Sequence, residues 1–157
     1  MGALSVELGV YPDAETYYQD SLNTAFELGE RFLIANAIGG LGDVARARGD
    51  NAEAGAKYHE ALIMFSEIIA RPLTLHMLVS IARLHTETPT TRTRGLQVIG
   101  LVRVDATLNA ETRVLVDVVE RELSQGLDQT TITAALDEGA ALDVDTVVRA
   151  VLGRRWF

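Results

Sequence analysis

Apolar positions recur along the chain three and four residues apart, the period of a helix with one buried face. The first stripe is Ala14, Tyr18, Leu22 and Ala25; Pro12 opens it, in the first turn where a missing N–H costs nothing, and Gly29 closes it. A second stripe, Ile34, Ala37, Ile38, Leu41 and Ala45, runs to Gly49, and a third, Ala54, Tyr58, Ala61, Leu62 and Phe65, spans Asn51 to about Ile69. Behind Pro72 the positions Leu75, Leu78, Val79 and Ala82, followed by His85, predict a fourth helix. A turn at Glu87-Thr88-Pro89-Thr90 separates it from a fifth over about 91–104. Asp105 to Asn109 reads as a loop. Asn109 with Thr112 then caps a long helix whose stripe is Val114, Leu115, Val118, Val119 and Leu123, broken at Ser124-Gln125-Gly126. Two short helices follow. One is capped by Asp128 and carried through Ile132, Ala135 and Leu136 to Gly139; the other is capped by Asp143 and runs from Val144 to Leu152.

The first and third stripes belong to copies of one pattern. Met1, Gly2, Gly9, Val10, Asp13, Ala14, Tyr18, Ser21 and Leu22 answer Leu41, Gly42, Gly49, Asp50, Glu53, Ala54, Tyr58, Ala61 and Leu62, each forty residues on. A fixed offset that carries small, aromatic and aliphatic residues in one order is a repeat. The run Leu41-Gly42, Ala54, Tyr58, Ala61 resembles the tetratricopeptide (TPR) repeat. There, small residues leave room where the two helices of a hairpin cross, an aromatic fills the space beside them, and a break such as Gly49-Asp50 separates the helices. The usual unit is about 34 residues, so an offset of 40 implies hairpins lengthened by roughly one and a half turns.

The resemblance implies an all-α fold, a TPR-like helical-hairpin superhelix (α-solenoid) with a helical C-terminal cap. Residues 1–29 are a truncated repeat, 30–70 a repeat, 71–104 a degenerate repeat with Gly95 at the small crossing position of Ala54, and 105–157 the cap. Met1 and Gly2 already stand in the Leu-Gly register, so the first unit lacks part of its first helix. The expectation is either a fragment of a longer solenoid or a homodimer through the N-terminal repeat, in which a second copy covers Tyr17, Tyr18, Leu22 and Phe26.

The C-terminal part, with its Asn-Ala-Glu-Thr-Arg cap at 109–113 and the run from Ala135 to Val148, is similar to the end of large bacterial signalling regulators. In those, TPR arrays follow a STAND-type nucleotide-binding ATPase module, which no part of this chain matches. The similarity implies a non-catalytic protein–protein interaction module, a scaffold or sensor segment acting on a peptide or protein partner. The family presents ligands to the concave face lined by the first helix of each hairpin. With Leu41 as register mark, the groove candidates are Ala3, Val6 and Glu7, then Asn36, Gly39, Asp43 and Arg46, then His76, Val79 and Arg83. Gly40 stands where the family's grip on a C-terminal carboxylate wants an asparagine, so that mode is not implied.

Composition narrows the alternatives. The chain is 157 residues long, enough for one domain with a real core, and holds no cysteine, which removes disulfides and thiolate metal sites. No apolar run approaches the roughly 18 residues of a membrane span and no signal-peptide pattern is present, so a cytoplasmic protein without a membrane partner is expected. A net charge of −8 argues against nucleic acid, whose attraction rests on clustered Lys and Arg. There is no phosphate-binding Gly-x-x-x-x-Gly-Lys-Ser/Thr loop. Gly39-Gly40-Leu41-Gly42 lies mid-helix in the repeat register, and His59, His76 and His85 lack the spacing that puts two on one metal. The carboxylates at Asp137-Glu138 and at Asp143 with Asp145 suit helix ends. No catalytic residue, cofactor or metal is expected. The alternative is a DNA-binding protein using a helix-turn-helix at 130–155. Against it stand five acids facing three arginines in residues 128–157, and a turn from Gly139 to Thr146 longer than the usual three to four residues.

Overall fold

A computed structural model describes residues 10–157, and the regular structure among them is entirely helical. The helices are α1 (Tyr11–Leu28), α2 (Arg31–Ala47), α3 (Asn51–Glu67), α4 (Arg71–Arg83), α5 (Pro89–Val104), α6 (Ala110–Leu123), α7 (Gln129–Ala140) and α8 (Val144–Leu152). The caps read from sequence are in place. Asn109, Asp128 and Asp143 each accept a hydrogen bond from the backbone N–H three residues on, as do Asp50 and Thr88, so each satisfies a donor the helix leaves open.

The forty-residue period is visible in the backbone. α1 and α3 begin at Tyr11 and Asn51, α2 and α4 at Arg31 and Arg71. Ala14 and Ala54 are both wholly buried, and so are Leu62 and, within a few per cent, its counterpart Leu22. The turn that ends α1 repeats at the end of α3: Glu30 N–H donates to the Ala25 carbonyl and Ala70 N–H to the Phe65 carbonyl. Both turns pass through the left-handed region, at Gly29 (φ 68°) and at Ile69 (φ 58°). Glycine adopts that conformation freely, whereas a β-branched residue is strained there. Ile69 is also 86% exposed, so its side chain offsets little of the strain. Ile69→Gly should therefore stabilise the protein by about 0.5–1 kcal/mol, the relief of about 1–2 kcal/mol of left-handed strain less the extra freedom glycine gives the unfolded chain. Urea unfolding of the pair of proteins at pH 7 checks it, with a rise in the midpoint expected.

The helices divide into two compact units between Ala70 and Arg71. In the first, α2 lies between α1 and α3 and is buried on most sides. It can be, because it carries glycines where its neighbours press aromatic rings: Tyr18 of α1 sits on Gly40 and Tyr58 of α3 on Gly42. A methyl group added at these positions would lie 2.2 Å and 2.7 Å from the ring carbons. In the second unit α5 is central and packs against α4, α6 and α7, while α4 also meets α6. The closest approach is α5 on α7, where two glycines face each other's backbones. A methyl at Gly100 would stand 2.1 Å from the Leu136 carbonyl oxygen, and one at Gly139 2.0 Å from that of Gln97. Gly95 is also a close contact, filled by Leu123 of α6.

One expectation needs correction. The buried stripe of α6 is Thr112, Val116, Val119 and Leu123, one step round from Val114, Leu115, Val118, Val119 and Leu123, and Val114 is exposed. α6 is rich in aliphatic residues on both faces, and the polar contacts of α4 select the one that turns inward: His76 Nδ1 lies 3.1 Å from the Thr112 hydroxyl, and Arg83 grips Glu122 with two nitrogens.

Candidate partner-binding groove

The residues expected to line a concave face differ in their surroundings. Ala3, Val6 and Glu7 lie outside the described residues. Gly39 and Val79 are buried. His76 and Arg83 are half-buried and reach from α4 to α6, His76 through Nδ1 to Thr112 and Arg83 through two nitrogens to Glu122 at 2.7 Å and 2.5 Å.

Asn36, Asp43 and Arg46 belong to α2. Asp43 accepts a hydrogen bond of 2.7 Å from the Tyr58 hydroxyl, and Arg46 lies against the same group. Burial pushes the Tyr58 phenol far above its ordinary range, and the negative charge of Asp43 adds to the shift, so Tyr58 remains a neutral donor. Asp43 and Arg46 are thereby tied to the α2–α3 pairing. Asn36 is exposed, and it opens on a groove between α1 and α2 with a volume of about 430 Å³. That is within the range of about 300–1,000 Å³ typical of small ligand sites.

Most of the groove wall was not anticipated from the sequence. Tyr17, Asp20, Ser21 and Thr24 come from α1, and Leu33 and Ala37 join Asn36 from α2. The spacing Tyr17, Asp20, Ser21, Thr24 follows one side of a helix beside the buried stripe, and that spacing was the available signal. Tyr17 is 44% exposed, and its ring meets that of Tyr18 edge to face at 5.6 Å. The expected uncovered face of α1 is thus smaller than Tyr17, Tyr18, Leu22 and Phe26 together: Leu22 is buried, Tyr18 is seated on Gly40, and Tyr17 and Phe26 remain exposed. Large exposed apolar side chains are concentrated in this unit, eight in residues 10–69 against two in the rest of the described chain.

The 130–155 segment also differs from its reading. α7 continues through Gly139 to Ala140 and α8 begins at Val144, so the turn is three residues, 141–143, and falls within helix-turn-helix range. Val144, Val147, Val148 and Val151 of α8 are buried, and its N-terminal turn carries Asp143 and Asp145. Asp145 pairs with Arg71 at 3.5 Å. Among the described residues, no group of three or more His, Cys, Asp and Glu could hold a metal ion, and no helix is long and apolar enough to cross a membrane. No protein-family model, curated protein or solved structure matches the chain.

Proposed function

We propose that the chain is a non-catalytic protein-interaction module built of TPR-type hairpins, a scaffold or sensor segment of a larger bacterial signalling regulator, which binds a peptide segment of its partner in the α1–α2 groove. The observation that carries this reading is the groove itself. It is open, part apolar and part polar, and it lies beside a hairpin built on the repeat, where Tyr18 on Gly40 and Tyr58 on Gly42 lock α2 between its neighbours. A rigid hairpin holding an aromatic, a leucine and hydrogen-bonding groups along a cleft suits an extended or helical peptide.

Selection of a displayed random-peptide library on the purified chain tests it. Enriched sequences should bind with a Kd of order micromolar, about −8 kcal/mol, and Leu33→Glu, on a half-exposed wall position, should abolish binding without unfolding the protein. No enrichment over an unrelated helical protein would count against the module. The three-residue turn favours a second reading, DNA binding through α7 and α8. Two aspartates at the start of α8 oppose it, since the first turn of a recognition helix meets the bases between phosphates. A salt-sensitive retardation of duplex DNA in a gel would favour that second reading.

A further inference from the structure

On the partner-binding reading above, we infer that the α1–α2 groove takes a cationic side chain, arginine or lysine, from the partner peptide. The charge of the chain is unevenly distributed. Residues 1–70 hold eleven acidic and four basic residues, whereas residues 71–157 hold eleven and ten, so nearly all of the net negative charge belongs to the part that contains the groove. Of the four bases, Arg31 pairs with Glu67, Arg48 with Glu15, and Arg46 lies against Tyr58 and Asp43. None of the four lines the groove, and Asp20 does; its carboxylate makes no ion pair among the described residues. Beside it the rings of Tyr17 and Tyr18 stand at 74° to each other, and Tyr17 presents much of its surface to solvent. An aromatic corner next to a carboxylate attracts a cation through the ring quadrupole and the formal charge together, and an arginine or lysine stem buries its methylenes against Leu33 and Ala37 while its head reaches Asp20. The hydroxyl hydrogens of Ser21 and Thr24 are donated to the carbonyls of Tyr17 and Asp20, which leaves their oxygens, with the Asn36 amide, to accept from the incoming N–H groups. A second copy of the chain is a poor occupant, because it brings the same excess of negative charge.

The test is an NMR titration of the full chain with three acetylated, amidated pentapeptides, Leu-Ala-X-Ala-Leu, in which X is Arg, Gln or Glu. The Arg probe should shift the amides of Tyr17, Asp20 and Asn36 and bind about tenfold more tightly than the Glu probe, and Asp20→Asn should reduce that ratio to about threefold or less. Asp20 is exposed, so the substitution leaves the fold intact. Equal affinity for the three probes at these residues overturns the cation assignment and leaves the interaction module standing. Shifts confined to other residues, or no saturable shift with any probe, also overturn the cation site, while the library selection still decides the module by itself.

Discussion

Gly139→Ala is expected to lower the thermal midpoint of the protein by roughly 5 °C or more. The new carbon would lie 2.0 Å from the Gln97 carbonyl oxygen, which belongs to a helix backbone and cannot rotate away. Ordinary contact requires α5 and α7 to separate by more than about 1 Å, and that separation forfeits dispersion contacts along the whole crossing. Overpacking costs about 1–3 kcal/mol where side chains can yield, so a rigid backbone neighbour places this case at or above about 3 kcal/mol. The better helix propensity of alanine returns about 1 kcal/mol. Gly100→Ala, facing the Leu136 carbonyl oxygen at 2.1 Å, should behave alike. Gly29→Ala gives the contrast: nothing lies within 4 Å of its added methyl, and only the left-handed backbone, about 1 kcal/mol, is at stake. Calorimetric scans of the three variants check the order.

Tyr58→Ala should cost about 3–5 kcal/mol, as truncation of a fully buried aromatic does, because it empties the space over Gly42 that holds α3 to α2. Tyr58→Phe separates the ring from its hydroxyl. It keeps the packing and loses the bond to Asp43, whose half-exposed carboxylate regains water, for a cost of about 1 kcal/mol at pH 7. The two variants also differ from the parent in alkali. The folded phenol is held above its unfolded value of about 10, so its contribution is fully present below about pH 10 and falls as pH rises beyond that, where the unfolded chain ionises and the folded one does not. Chemical denaturation at pH 7 and again above pH 10 should show the parent losing stability more steeply than Tyr58→Phe.

Much of this architecture is legible in the residues. Helix starts and caps depend on neighbours in sequence, and Asn109, Asp128 and Asp143 could be placed from local pattern alone. Ala14 and Ala54, forty residues apart, are both fully buried, whereas Tyr18 and Tyr58 press on the same helix, α2, from its two sides, the one on Gly40 and the other on Gly42. Choices made by distant neighbours were not legible. α6 offers apolar residues on two faces, and the partners on α4, His76 and Arg83, select Thr112 and Glu122. The same contacts engage two residues that the repeat register assigned to a groove. The opposition of Gly100 and Gly139 follows no local rule, and reading Gly139 as a stop signal made the α7–α8 turn look long, when the glycine is buried inside the helix crossing. The groove was half legible: Asn36 was expected on a binding face and Tyr17 on an uncovered side of α1, but Asp20, Ser21 and Thr24 lie at the margin of the buried stripe, where periodicity gives no signal for a groove.

The interaction reading is tested most directly by mapping where a library-selected peptide protects the chain from amide hydrogen exchange. Protection concentrated on the facing sides of α1 and α2 around Tyr17, Asp20, Leu33 and Asn36, and lost in Leu33→Glu, is the expected result. Protection confined to α7 and α8, or spread without preference over the helices, would contradict it.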